Sequence, residues 1–189
     1  MEFDELIISR KSVRSFKDKE ISEEILNIMM EAAQLSPSFQ NRQCWRFIVV
    51  RDKKIIKDLA LRSGMISKVN FFIKDAPVVI VACADPAKSG TMNDQNYYLV
   101  DTAIAFQQMM LSAWNHGIGS CWLAAYSEQK VREILEIPQN IRVVALSPFG
   151  YPKEKNTLYE KAVKTFTGSK KRNELNKIIS VAYRTKYFK

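Results

Sequence analysis

Apolar residues recur at helical spacing in three parts of the chain, and each part predicts a helix. The first pattern begins at Ser22, a good N-cap, and ends at the stop signal Pro37. The second begins at Asp52, another N-cap, and ends at Gly64. The longest spans roughly residues 94–116 and is apolar on much of its circumference, which indicates a helix buried in a core or in a subunit interface.

Shorter apolar runs predict strands instead. The run at 77–84 is β-branched and bounded by turn residues, so we expect a buried central strand there. Residues 46–50, 120–123 and 142–146 predict three further strands. Between the last two of these, the cap residue Ser127 predicts a helix that runs to Ile137.

The order of these elements lacks the regular strand–helix alternation of a doubly wound fold. We therefore expect an α+β protein with a central sheet of four to five strands flanked by helices, in one domain over residues 1–189. After Pro152 the pattern predicts a loop and then a terminal helix over 174–182. The chain has no Gly-x-Gly-x-x-Gly motif after its first strand and no phosphate loop, so a nucleotide cofactor must be held in another way.

Composition narrows the class of protein. The 189 residues are 47% hydrophobic and 26% charged, which is ordinary for a globular protein. The longest apolar run has about half the length that a membrane-spanning helix needs. The N-terminus lacks the basic start and apolar stretch of a signal peptide. We expect a cytoplasmic protein that does not bind a membrane.

Cysteine and histidine are too few for several kinds of chemistry. The three cysteines, Cys44, Cys83 and Cys121, form no Cys-x-x-Cys pair, which argues against a disulfide scaffold and a zinc ribbon. The one histidine, His116, lies where a helix is predicted to end and where a cation meets the negative end of the helix dipole. We expect no metal site and no Ser-His-Asp catalysis.

The net charge of +9 is concentrated near the C-terminus. Residues 151–189 hold eleven lysines and arginines against three glutamates. Such a tail suits the phosphates of a cofactor or of nucleic acid, or it is simply a solvated surface. The tail shows neither a patterned aromatic–basic stacking surface nor a helix-turn-helix, so we expect no nucleic-acid binding.

Three segments combine residue types that suit a flat, phosphorylated cofactor. Residues 9–16 hold three cations and three hydroxyls, and arginine suits phosphate oxygens. Residues 35–47 form an amide-rich loop that matches the alternating donors and acceptors of a flavin pyrimidine. Small residues in 117–126 and 148–152 let a ring approach backbone N–H groups. Each segment alone has an ordinary alternative, as a surface turn, a connecting loop or core packing.

Together and in this order, the segments resemble the nitroreductase family from Ser9 to about Pro152. The family's Arg-Arg-Ser-x-Arg-x-Phe segment is matched by residues 10–16. Its Pro-Ser-x-x-Asn-x-Gln-Pro-Trp loop is matched by residues 37–45, where Cys44 replaces a proline. A Gly-x-Gly-x-x-Trp strand and a Gly-Tyr-Pro turn complete the pattern. The resemblance implies a homodimer with FMN at the subunit interface and NAD(P)H as the electron donor.

The resemblance also implies a role for each matching residue. Arg10, Lys11 and Ser12 would bind the FMN phosphate, and Arg14 would reach the N1/O2 edge of the ring. The loop that would reach the flavin from the partner subunit contributes Pro37, Ser38, Asn41 and Gln43. The residues beside the ring would be Trp122, Leu123, Ala124 and Ala125, with a backbone N–H near the two alanines donating to N5.

The match is looser elsewhere. Lys171 and Arg172 are candidates for a phosphate contact from the tail, and Asn70 for the pyrimidine edge. Cys44 in place of proline is expected to loosen its loop, and Ala124 stands where some members of the family carry an acid.

The implied reaction is ping-pong hydride transfer from NAD(P)H through FMN to nitroaromatics, quinones or similar electron-poor acceptors. No side chain need act as an acid or base, so we expect no catalytic side chain. The alternatives are another flavin reaction on the same fold, namely dehalogenation, flavin cleavage, or oxidation of an enone or peptide. Those reactions need a segment that closes over the substrate, and the sequence does not reveal one.

Overall fold

A computed structural model describes residues 1–64, 70–153, 172–174 and 178–179. The chain divides into two units, residues 1–154 and residues 155–189. Every helix and strand named below belongs to the first unit. The predicted helix over 174–182 and the candidate Lys171 lie outside the described residues, apart from three isolated positions of that helix.

The described residues form five α-helices and six strands. The helices are α1 Phe3–Ser9, α2 Glu23–Gln34, α3 Lys53–Arg62, α4 Tyr97–Asn115 and α5 Glu128–Leu135. The strands are β1 Trp45–Val50, β2 Val78–Ala84, β3 Thr91–Met92, β4 Gln95–Asn96, β5 Gly119–Ser120 and β6 Arg142–Gly150. Four strands make an antiparallel sheet in the order β1-β2-β6-β5, and β3 and β4 form a separate hairpin.

Strand β2 is buried along its whole length because both faces of the sheet are covered. Its alternate residues belong to two different cores. Val79, Val81 and Cys83 pack on one side with residues of α3 and α5. The other set packs on the opposite side with residues of α2 and α4; its members are Val78, Ile80 and Ala82. The predicted α+β class, with four sheet strands flanked by helices, is confirmed.

Local capping signals located the helices well. Ser22 accepts a hydrogen bond from the Ile25 N–H, and Asp52 accepts from the N–H groups of Lys54 and Ile55. Ser127 caps α5, although this helix ends before the predicted residue 137. These three helices begin where the sequence predicts.

Three predicted boundaries of helices and strands were wrong, because pairing between strands determines where those elements begin or end. Helix α4 begins at Tyr97 rather than residue 94, since residues 91–96 fold into the β3–β4 hairpin. The strand expected over 120–123 is only Gly119–Ser120, followed by one bridge from Leu123 to β6. Strand β6 runs on to Gly150 through a proline, because it pairs there with β2 and β5.

None of the helices in the described part of the chain has both the length and the apolar character needed to cross a membrane.

Candidate functional site

The basic segment of residues 10–16 runs along the β5 edge of the sheet. The Val13 N–H donates to the Ser120 carbonyl at 2.9 Å, and Ser12 forms a parallel bridge with the same residue. The side chain of Val13 is buried, whereas Ser12 and Arg14 are half-buried. Because side chains alternate along extended backbone, Ser12 and Arg14 share the face opposite Val13. Arg10 precedes this segment as the C-cap of α1.

This junction leaves no room for a side chain at the start of β5. A Cβ added to Gly119 would lie 2.6 Å from Val13 Cγ2, closer than real Cβ contacts come. Farther along, the Lys17 N–H donates to the Tyr151 carbonyl and Phe16 bridges Pro152. The Gly-rich strand and the residues after β6 therefore hold the basic segment against the sheet by backbone contacts.

Residues 123–125 follow β5 along the same edge of the sheet, and two of their three backbone N–H groups are free among the described residues. The Leu123 N–H donates to the Leu146 carbonyl at 2.8 Å. The exposed Ala124 and Ala125 have no hydrogen-bond partner for their N–H groups among the described residues. The buried Asn70 donates from Nδ2 to the Ala125 carbonyl at 2.9 Å, so it fixes the orientation of this turn.

The free N–H groups and the basic segment are close in space. Ala124 follows Ser120 by four residues, which span at most about 14 Å of extended chain. Ser120 itself is bonded to the basic segment through Val13. One edge of the sheet thus carries cations, a hydroxyl and unpaired N–H donors within the reach of a single mononucleotide.

The amide-rich loop lies at the other edge of the sheet. It leads into β1, and three strand spacings of about 4.8 Å separate β1 from β5. Its backbone takes the left-handed conformation at three non-glycine residues, with φ of 50° at Gln40, 54° at Asn41 and 47° at Gln43. Such conformations are costly and often occur at functional sites.

Hydrogen bonds inside the loop occupy several of its predicted site residues. Ser38 Oγ accepts from the Gln43 N–H at 3.0 Å. The exposed amides of Asn41 and Gln43 pair with each other, with Gln43 Nε2 donating to Asn41 Oδ1 at 3.0 Å. Pro37 is exposed and begins the loop. The four residues are together, but they are at the opposite edge from Arg10 and Ala124.

Two of the remaining candidates are described. The half-buried Trp122 packs against Phe106, with the ring centroids 5.2 Å apart. Arg172 is exposed and belongs to the second unit of the chain. His116 has its expected place as the C-cap of α4, with Nδ1 3.0 Å from the Ser112 carbonyl.

That Cys44 loosens its loop stays a prediction, and the structure shows the contacts that Cys44 makes in place of the proline. Cys44 is fully buried, its thiol donates to Asp101 Oδ2 at 3.8 Å, and its carbonyl accepts from the Asp85 N–H. A proline there would restrict the backbone through its ring, whereas Cys44 contacts Asp101 through its side chain. Asp101 was missed by sequence reasoning, because nothing in the pattern of α4 marks one aspartate as facing this loop.

The donor set at the β5 edge fits FMN. Arginine and serine side chains suit a phosphate, a half-buried arginine suits a ring edge that becomes negative on reduction, and unpaired N–H groups suit a ring nitrogen. All of these groups belong to described residues, and none of them forms an ion pair within the described part of the chain.

The chain is similar to one protein family and to several individual proteins. The profile of the nitroreductase family matches residues 7–68 and 67–151. A protein of Archaeoglobus fulgidus that bears the name NADH dehydrogenase/NAD(P)H nitroreductase is 37% identical over 161 residues, covering 82% of this chain and 88% of that protein. More distant relatives have other names: an iodotyrosine deiodinase of Thermotoga neapolitana (25% identical; 82% of this chain, 91% of that protein) and a 5,6-dimethylbenzimidazole synthase of Rhodospirillum rubrum (26%; 83% and 85%).

Among solved structures, those of nitroreductase family proteins are similar to this chain. A nitroreductase family protein of Clostridium novyi NT is 40% identical with a TM-score of 0.78, covering 82% of this chain and 87% of its own. An FMN-dependent nitroreductase of Clostridium difficile R20291 is 29% identical with a TM-score of 0.71, covering 87% and 96%.

Proposed function

The chain belongs to the nitroreductase family, and on that basis we propose that it is an FMN-dependent oxidoreductase that transfers hydride from NAD(P)H to electron-poor acceptors. Nitroaromatics and quinones are the acceptor classes that we propose. The observation that carries the proposal is the β5 edge, where Ser120 is bonded to the basic segment and the free N–H of Ala124 follows Ser120 by at most about 14 Å of chain. Relatives named as NAD(P)H nitroreductases support the same activity.

The proposed roles follow from the donors that each residue offers. Arg10, Lys11 and Ser12 bind the phosphate, which anchors the cofactor at the end of α1. Arg14 lies two residues beyond Ser12 on the same face and places its charge near the N1/O2 edge. A cation there favours the reduced, anionic ring.

Residues 122–125 and Asn70 provide the other wall of the proposed site. The N–H of Ala124 or Ala125 donates to N5, and Asn70 holds that turn through the Ala125 carbonyl. When bound, FMN supplies hydride acceptance and donation at N5, so the protein contributes position, charge and a site shielded from water. Arg172 and Lys171 remain candidates for a further phosphate contact.

We further propose a homodimer in which the amide-rich loop of one copy completes the flavin site of the other. Within one chain, this loop and the basic segment lie at opposite edges of the sheet. In the proposed dimer, a two-fold axis would place the loop of one subunit at the β5 edge of its partner. Ser38, Asn41 and Gln43 then supply donors and acceptors to the pyrimidine ring.

An apolar surface beside the loop suits the second copy. Helix α4 exposes Leu99, Val100 and Ile104 next to Asp101, which holds the loop. The same helix continues into a groove of about 690 Å³ with Phe3 and Leu6 of α1 among its lining residues. A contiguous exposed apolar patch of this kind marks an interaction site.

Another flavin reaction on the same fold is the second candidate, because two relatives are named as a deiodinase and as a dimethylbenzimidazole synthase. The β3–β4 hairpin lies beside the amide-rich loop, since Gly90 next to it is in close contact with the Phe39 ring. A single acceptor used far better than all nitroaromatics and quinones would favour this candidate.

Two-substrate kinetics test the proposed function. Initial rates are measured with FMN present while NADH or NADPH and a quinone are varied together. Parallel double-reciprocal lines are expected, since donor and acceptor use the same place in turn. Arg14→Ala is expected to lower the rate by at least about tenfold through loss of a charge at the ring edge. The control Arg62→Ala removes an exposed arginine of α3 and should change little. No turnover with any quinone or nitroaromatic would contradict the proposal.

A further inference from the structure

A buried carboxylate joins the two ends of the amide-rich loop. Asp101 lies on α4 and is only 2% exposed. Its Oδ1 accepts a hydrogen bond from the Phe39 N–H at 2.9 Å, and its Oδ2 accepts from the Cys44 thiol at 3.8 Å. Phe39 and Cys44 bracket the three residues with left-handed backbone. One side chain therefore ties down both ends of the strained stretch.

Asp101 lacks the partner that would make its burial favourable. No lysine or arginine in the described part of the chain forms an ion pair with it. A buried charge without a cation costs stability relative to an apolar residue. Its two acceptor oxygens instead hold the Phe39 N–H and the Cys44 thiol in place.

The groups around the Asp101 carboxylate favour its hydrogen bond from the Cys44 thiol. Burial raises the pKa of the Cys44 thiol, to which the nearby Asp101 charge adds, so the thiol stays protonated and able to donate. The hydroxyls of Ser89 and Thr102 also lie beside Cys44, buried and outside hydrogen-bond geometry. Arg42 in the loop donates to the Ser89 carbonyl at 2.7 Å, which provides an additional anchor.

The loop that Asp101 holds is the one that carries three proposed flavin contacts. Ser38 precedes Phe39 in the chain, and Ser38 Oγ accepts a hydrogen bond from the Gln43 N–H. The position of Phe39 therefore affects the positions of Ser38 and Gln43. Gln43 in turn holds Asn41 through the amide pair. The Phe39 N–H ties this set of hydrogen bonds to Asp101 of α4, and the Phe39 ring also packs on Tyr97 of the same helix with centroids 4.7 Å apart.

We propose that Asp101 is a positioning residue that presets the amide-rich loop for flavin binding, with the Cys44 thiol securing the end of the loop. The proposal rests on the proposed function for the identity of the ligand, but not for the effect on the loop. Asp101 does not touch the flavin in this scheme and acts through Ser38, Asn41 and Gln43.

Three variants of the full chain test this role, each followed by titration with FMN. Asp101→Ala removes both acceptors, and we expect the Kd for FMN to rise by at least about tenfold, as for loss of a hydrogen bond to a charged group. Asp101→Asn keeps an oxygen for the Phe39 N–H and should rescue binding to within about threefold. Met109→Leu, a volume-conserving change at another buried position of α4, is the matched control and should leave the Kd unchanged.

Hydrogen exchange of the flavin-free protein separates positioning from a merely structural role. In Asp101→Ala, protection should fall at the amides of Phe39 and Gln43, while β2 and α4 stay protected as in Met109→Leu. Equal loss of protection across β2 and α4 would overturn the proposal, and so would an unchanged loop. If the wild-type chain bound no FMN, the proposed function would fail, yet this exchange pattern would still decide whether Asp101 presets the loop.

Discussion

Glu128 shows how one carboxylate connects a helix to the sheet. Both of its oxygens accept from the Arg142 guanidinium, at 2.9 and 3.0 Å for the shortest bond to each, and Oε1 also accepts from the Val143 N–H at 2.9 Å. Partial burial alone would raise the pKa of Glu128, but the bonds from Arg142 and Val143 outweigh it and lower that pKa below its ordinary value. The ionised form therefore fastens α5 to the start of β6.

Replacing this carboxylate should weaken the fold in a pH-dependent way. Glu128→Gln is expected to lower the free energy of unfolding by about 1–2 kcal/mol at pH 7. Because the folded pKa is depressed, the wild-type advantage is present above the ordinary pKa of 4.5 and is lost as pH falls through the folded value. Urea unfolding at pH 7 and below pH 4 measures this difference. Glu133→Gln, exposed on the same helix, is the control, and an equal effect in it would contradict the assignment.

Sequence reasoning worked best for residues that belong to a local motif. The basic segment and the amide-rich loop were located because their residues lie close together in the chain, and the structure keeps each set together. Asp101 was missed because its role depends on a loop about sixty residues earlier in the chain. Asn70 was assigned to the pyrimidine edge, and its contact with the Ala125 carbonyl is a long-range pairing that no local pattern encodes.

The bounds of helices and strands were predicted correctly where neighbouring residues determine them, and incorrectly where strand pairing determines them. The helices α2, α3 and α5 begin at their predicted caps because a cap involves only a few neighbouring residues. The β3–β4 hairpin was missed because its turn uses left-handed Asn93 and Asp94, and helical spacing predicted a helix that already begins at Asp94. Strand β6 was cut short because a proline rarely occurs within a strand.

The contact between the hairpin and the amide-rich loop can be tested at Gly90. A Cβ there would lie 2.3 Å from Cε1 of the Phe39 ring, so an alanine has to displace that ring. Gly90→Ala is expected to cost about 1–3 kcal/mol of stability and to weaken FMN binding together with it. Thermal unfolding and FMN titration measure the two effects. Tight FMN binding by the variant would show that the loop does not depend on this contact.

At the scale of the whole molecule, the fold was predictable but the completed site was not. Alternating burial and capped helices were enough for an α+β class with four sheet strands. The separation of the two halves of the proposed site appears only once the strand order is known, because sequence position does not tell which edge a strand occupies. That separation is also the reason to expect that a monomer cannot hold FMN well.

A substitution that disrupts the proposed dimer should therefore also weaken FMN binding. Ile104→Lys places a charge on the exposed apolar face of α4, where the side chain is 40% exposed. We expect a shift toward monomer and a Kd for FMN raised by at least about tenfold. Val49→Lys is the matched control, since Val49 on β1 is also 40% exposed and does not line the α4 groove. Sedimentation and FMN titration are run on both variants. A monomeric Ile104→Lys that binds FMN normally would contradict the shared site.

The most direct measurement is the visible absorption spectrum of the purified chain with added FMN, recorded anaerobically before and after addition of NADH or NADPH. The predicted result is a protein-bound flavin spectrum that is bleached by the nicotinamide and restored by a quinone or a nitroaromatic. Failure to bind FMN at micromolar cofactor and low salt would contradict the assignment of the β5 edge as a flavin site.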